Sequence, residues 1–171
     1  MTIKGNKVGI NEPSPEYALH INESTSNIGL VIESEEDSPT LGANLTLFRH
    51  RGGDVSSQDG DLLSLFSFAG RNDASVPEQI SYASILASIT DATNGSESGR
   101  LSFQVEHEGS AETVVRITGD HVDLERNPVL PSRKPTSSTD AGDRGEVTWD
   151  ENYVYICIDT NLWKRMPLSN F

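Results

Sequence analysis

Arg100-Leu101-Ser102-Phe103-Gln104-Val105-Glu106 is the stretch that decides the fold. Leu101, Phe103 and Val105 alternate with Ser102, Gln104 and Glu106. That spacing puts apolar side chains on one face of an extended chain and polar ones on the other. Glu108-Gly109-Ser110 interrupts the run and Glu112-Thr113-Val114-Val115-Arg116-Ile117 resumes it, so the two runs predict a hairpin. Ser81 to Thr90 is the one window with helical appeal, yet Ile85, Ala87 and Ile89 alternate there too and predict a strand. Ile28–Ile32, Asn44–Phe48 and Leu62–Phe68 read as further short strands. Arg51-Gly52-Gly53-Asp54, Gln58-Asp59-Gly60-Asp61 and Asn94-Gly95 supply the breaks between strands. Many short strands with such turns specify an all-β protein.

Composition narrows the function. The chain has 171 residues with 26 acidic and 13 basic, a formal net charge of −13. Phosphates repel such a surface, which excludes nonspecific nucleic-acid binding. Only 35% of residues are hydrophobic and 6% aromatic, thin for a self-contained globule and sufficient for an elongated or oligomeric one. No apolar run approaches the length that spans a bilayer, and the N-terminus has no secretory h-region, so neither membrane insertion nor secretion is expected.

Four parts are expected. Residues 1–27 form an extended, proline-containing leader with Val8, Ile10, Leu19 and Ile21 as apolar anchors, expected to attach the protein to a larger particle. Residues 28–126 form the β body, in which Leu101, Phe103, Val105, Val115 and Ile117 line an intersubunit or intersheet core. Residues 127–140, rich in Pro, Ser and Thr, read as a linker. Residues 141–171 form a small β knob, a three-stranded meander in which Trp149 and Trp163 flank Tyr153-Val154-Tyr155-Ile156-Cys157-Ile158. That central run, with Tyr153 and Tyr155 in it, is apolar on both faces and should be covered on both. Charge is uneven. Residues 1–130 hold 20 acidic and 8 basic residues, residues 131–171 hold 6 and 5. Lys164 and Arg165 are expected to meet the acidic body of a neighbouring chain.

Catalytic constellations are missing. His20, His50, His107 and His121 lack the spacing of a metal motif, and neither a nucleophile elbow nor a phosphate-binding glycine loop occurs. Cys157 sits mid-strand among apolar neighbours and reads as a buried, inert thiol. Asp59-Gly60-Asp61 has the composition of a calcium loop, but aspartate and glycine equally suit a tight turn, and the turn reading is favoured. The acidic run Glu33 to Asp37 reads as a solvated loop. No cofactor, no metal and no enzymatic activity are expected.

Three stretches resemble segments of bacteriophage fibre and appendage proteins. Val8-Gly9-Ile10-Asn11-Glu12-Pro13, followed by Tyr17-Ala18-Leu19-His20-Ile21, is similar to a repeat usually spelled Val-Gly-Ile-Gly, then Pro, then Leu-x-Val or Leu-His-Val, with Asn11 replacing the usual glycine. Asn44–Leu47, Asp59–Gly70, Gly99–Phe103 and Thr113–Ile117 together resemble a β unit of phage tail fibres. Gly145–Cys157 with Trp163-Lys164-Arg165 and Leu168 resembles a C-terminal unit of phage structural proteins, notably those of cyanophages.

The resemblance implies an elongated homotrimeric, fibre-like β body with three chains about one axis, located in the virion. Because the fibre motif lies close to the N-terminus, a short fibre on tail, neck or head is expected rather than a long tail fibre. Its partners are then itself, other virion proteins of the tail, neck or capsid, and a host-surface glycan. A capsid decoration or cement protein is the neighbouring alternative, and a glycan-binding or glycan-cleaving module at the host surface is the third. Physical reasoning also favours association. Strands apolar on one face must cover that face, and closing strands from several subunits about an axis removes open sheet edges.

Overall fold

Among the described residues, which are all but 24–28, 36, 38, 41, 54 and 171, the chain of the computed structural model forms eleven strands and no helix. The all-β expectation is met. The chain divides into two compact units, Met1–Phe48 and Arg49–Phe171.

In the first unit, β1 (Thr2–Lys4) and β2 (Lys7–Ile10) form a hairpin, and β3 (Leu19–Ile21) pairs parallel to β2. The leader is therefore extended chain organised as a three-stranded sheet, order β1-β2-β3. Two features allow the short return from β2 to β3. Asn11 adopts φ 55, the left-handed conformation that asparagine tolerates better than most residues. Gly9 lies so close to the Glu12 carbonyl that no Cβ would fit. Glu12 stays in place by accepting from the Ser14 N–H (2.8 Å) and from the Asn22 amide (3.1 Å).

The expected strands Ile28–Ile32 and Asn44–Phe48 are not found. Ile28 lies outside the described residues, and 29–35 and 42–48 carry no strand. Leu30, Val31, Leu45 and Phe48 are all exposed there. Alternation gives a segment strand propensity, but a strand also needs a neighbour to take its backbone hydrogen bonds.

In the second unit, β4 (Leu62–Arg71), β5 (Gln79–Asp91), β6 (Ser98–His107), β7 (Ser110–Ile117) and β8 (Val122–Leu124) form an antiparallel meander in chain order. The predicted hairpin is β6–β7, and its two turn residues, Glu108 (φ 50) and Gly109 (φ 82), are both left-handed. That is the mirror-image turn whose twist suits a two-residue hairpin. The window with helical appeal lies entirely within β5.

The C-terminal sheet, order β11-β10-β9, consists of β9 (Val147–Trp149), β10 (Tyr153–Asp159) and β11 (Leu162–Pro167). Residues 130–142 are not a free tether but are pinned along it. Ser132 bridges to Trp149, and the Thr148 hydroxyl contacts the Pro131 and Arg133 carbonyls at 2.7 and 2.9 Å. The Trp149 and Trp163 indole N–H groups donate to the Leu130 and Asp140 carbonyls. Prolines remove donors from this segment and leave its carbonyls free to accept.

The segment covers only one face of β10. Tyr155, Cys157 and Trp163 are buried there, and they are the only buried hydrophobic core among the described residues. The other face is half open, with Ile158 39% and Trp149 40% exposed, which corrects the expectation that β10 is covered on both sides.

Candidate functional site

The five-stranded sheet of β4–β8 has two unlike faces, and strand register defines them. Phe66, Ile85, Phe103, Val115 and Leu124 form one continuous cross-strand row. Ala87, Leu101, Ile117 and Val122 form the next. The first row is apolar throughout, and the second is apolar from β5 to β8 and ends on β4 at Ser64, opposite Ala87. Phe68, Ala83 and Val105 extend the same face before a bulge between Phe103 and Gln104 brings Glu112 opposite Val105. The structure therefore brings together the sequence-predicted residues Leu101, Phe103, Val105, Val115 and Ile117. Phe66, Phe68 and Leu124 join them on this face, beyond the residues the strand pattern assigns to it.

This face is open. Phe66 is 46%, Phe68 58%, Val122 59% and Leu124 55% exposed, and none of the face's residues reaches full burial. The opposite face carries Ser67, Ser84, Gln104 and Thr113 in one row, with Ser84 to Gln104 and Gln104 to Thr113 joined by long side-chain hydrogen bonds. Ser84, Ser88 and Ser102 on that face are buried. The sheet thus buries Ser84, Ser88 and Ser102 and leaves Phe66 and Phe68 exposed. A contiguous apolar patch of this kind marks an interaction surface.

Asp61 anchors the start of the sheet. Its carboxylate accepts from the Arg51 guanidinium at 2.8 and 2.5 Å and from the Gln58 N–H at 3.0 Å, and pairs with Arg49 at 3.1 Å. Gly60 takes φ 84, and Asp59 accepts from the Ala92 N–H. The Asp59-Gly60-Asp61 segment is therefore a turn that locks β4 to the end of β5. The Arg51 hydrogen bonds first, then the Gln58 N–H and the Arg49 charge, hold the Asp61 carboxyl well below the ordinary carboxylate range.

A depressed carboxyl contributes stability that is fully present above its unfolded value, about pH 4, and is lost as pH falls through the folded one. The difference in melting temperature between wild type and Asp61→Asn is accordingly expected to be constant above about pH 5 and to close below pH 4. A thermal melt series read by circular dichroism checks this, and a gap that widens on acidification contradicts it.

The leader's anchors also converge. Val8 lies opposite Leu19, Ile10 opposite Ile21, and Ile3 opposite Val8, so Ile3, Val8, Ile10, Leu19 and Ile21 share one face of the N-terminal sheet. Ile3, Ile10 and Leu19 are exposed.

In the C-terminal sheet, Tyr155 and Trp163 lie on the covered face, Trp149 on the other, and the Arg165 guanidinium sits 4.2 Å over the Tyr153 ring. The Tyr155 hydroxyl donates to Asp150 at 2.6 Å, which lowers the Asp150 carboxyl and raises the tyrosine. Between β11 and residues 134–138 lies a cleft of about 460 Å³, lined by Lys134, Lys164 and Arg165 over the Tyr155 and Trp163 side chains. Lys164 and Arg165, expected from the sequence to meet a neighbouring chain, line this cleft together with Lys134. The available signal was the near-balanced charge of residues 131–171 in an otherwise acidic chain. Cys157 is fully buried, its thiol against the Asp159 carbonyl. No described helix is long and apolar enough to cross a membrane.

No family model matches the chain. A 37-residue stretch is 40% identical to a protein described as "Depolymerase 1, capsule K30/K69-specific" of Klebsiella phage K5-2. The stretch covers 22% of this chain and 5% of that protein. The similarity is to a bacteriophage protein, as the resemblance implies, although the phage infects Klebsiella rather than a cyanobacterium.

Proposed function

We propose that this chain is a virion structural protein of a bacteriophage: a short homotrimeric fibre on the tail, neck or head that contributes to host attachment. The observation that carries the reading is the open apolar face of β4–β8. Its apolar rows are only partly buried among the described residues, and copies of the same face closing about a three-fold axis bury them and protect the β4 and β8 edges. The role is structural, without a catalytic step or a cofactor. Its partners are two further copies of itself and other virion proteins. The short similarity to a phage protein supports a place on the particle.

The leader is the proposed attachment element. Val8, Ile10, Leu19 and Ile21 form an apolar stripe on a sheet small enough to gain order from docking. Deleting residues 1–21 is expected to leave a folded trimer that no longer incorporates into particles, read by immunoblot of purified virions. Normal incorporation of the truncated chain contradicts the assignment. Imaging particles that lack the protein separates a fibre from a capsid decoration protein, since a cement protein's loss weakens the shell and a fibre's does not.

A second reading, a glycan-binding or glycan-cleaving module, is favoured by the name of the matched protein, which is a capsule depolymerase. Incubation with host polysaccharide discriminates the two. Shortened glycan indicates an enzyme, and adsorption without shortening an adhesive appendage.

A further inference from the structure

We propose that the cleft between β11 and residues 134–138 is a binding site for an acidic saccharide, a sugar bearing a carboxylate or comparable anionic substituent. The proposal deepens the host-attachment reading, on which it rests only for the source of the ligand.

Charge selects the ligand. The chain has 13 basic residues against 26 acidic ones, yet three of the 13, Lys134, Lys164 and Arg165, line this one depression, and none of its lining residues is acidic. Elsewhere in the second unit, Arg49 and Arg51 pair with Asp61, Arg116 with Glu125, Arg126 with Glu112, and Arg133 with Glu146. Among the described residues, no ion pair engages Lys134 or Lys164, and Arg165 spends its charge on the Tyr153 ring. Asp150 is the acid an anionic ligand must compete with, and the Tyr155 hydroxyl and two backbone N–H groups already occupy it. Unpaired cations around a concave site attract an anion and exclude a cation.

Size and surroundings select a sugar over a long polyanion. A volume of about 460 Å³ lies within the range of small-ligand sites. Thr136 and Ser137 line one wall, and Trp163 in the aromatic floor is held by the Asp140 carbonyl and by Arg133 over its ring. A nucleic acid would have to approach along an acidic surface that repels it. The two lysines are exposed, and the acid near Lys134, Asp150, is already engaged by the Tyr155 hydroxyl.

Isothermal titration of the full chain at low salt tests the site, with trigalacturonic acid as probe and its fully methyl-esterified form as the neutral control. The acid is expected to bind, and the ester to bind at least about tenfold more weakly. An exposed cation contributes a factor of about five at most, so Lys134→Gln with Lys164→Gln is expected to weaken the acid by up to about twenty-fivefold. Equal binding of acid and ester, an unaffected double variant, or equal competition by inorganic phosphate each overturns the proposal. Native mass of the same samples keeps the two readings apart. A trimer that ignores the acid overturns the site alone, a monomer that binds it overturns the appendage alone, and a double variant that loses the trimer assigns the lysines to a neighbouring chain and overturns the site.

Discussion

Phe103→Ala is expected to separate the proposed trimer into its chains. Phe103 stands at the centre of the row Phe66, Ile85, Phe103, Val115, Leu124, with Leu101 and Val105 two positions away on its own strand. In one chain its ring is half-buried by strand neighbours, and only an opposing surface covers it fully. Truncating a fully covered phenylalanine costs about 3–5 kcal/mol, and symmetry repeats that loss in every subunit. Ser102→Ala, on the opposite face, is the matched control, because it changes the same strand without touching the apolar row. Sedimentation of the two variants reads the effect: monomer for Phe103→Ala, unchanged assembly for Ser102→Ala. Unchanged assembly for both contradicts the assignment of the face.

Trp163→Ala is expected to release the segment 130–142 from the C-terminal sheet. The indole packs with Tyr155 and Cys157, donates to the Asp140 carbonyl at 3.1 Å, and lies under Arg133. Its removal takes away most of the small core of this module, and large-to-small changes of that kind cost about 3–5 kcal/mol. Gly142 tests the same packing from the other side. A Cβ there would run into the indole ring, so Gly142→Ala forces tryptophan or backbone to move. Both variants are expected to raise amide exchange and protease cleavage over residues 131–140, while Trp149→Ala, on the half-open face, does so far less. Protection of that segment in Trp163→Ala contradicts the account of how it is held.

The contrast between these two regions explains what was legible in the sequence. The hairpin around Phe103 was readable because two independent signals agree in it, alternation along both runs and a two-residue turn with glycine at its second position. Residues 44–48 alternate as clearly, yet form no strand, because alternation records which faces differ and says nothing of which partner is present. The proline-rich stretch 127–140 misled in the opposite direction. Its composition reads as a tether, while its role depends on carbonyls that every residue possesses and that no composition reveals. The parallel β2–β3 pairing was equally hidden, since it rests on the left-handed Asn11 and on the close approach at Gly9. Of the candidate surfaces, the apolar face was legible through strand period, and the cationic cleft was not, because Lys134 meets Lys164 and Arg165 only after the segment folds back on β11.

The central claim is that the open face of β4–β8 is closed by copies of the same chain, and native mass tests it most directly. Sedimentation equilibrium or mass photometry of the full chain at micromolar concentration is expected to give a single species near three times 18.6 kDa. A persistent 18.6 kDa species under those conditions contradicts the account.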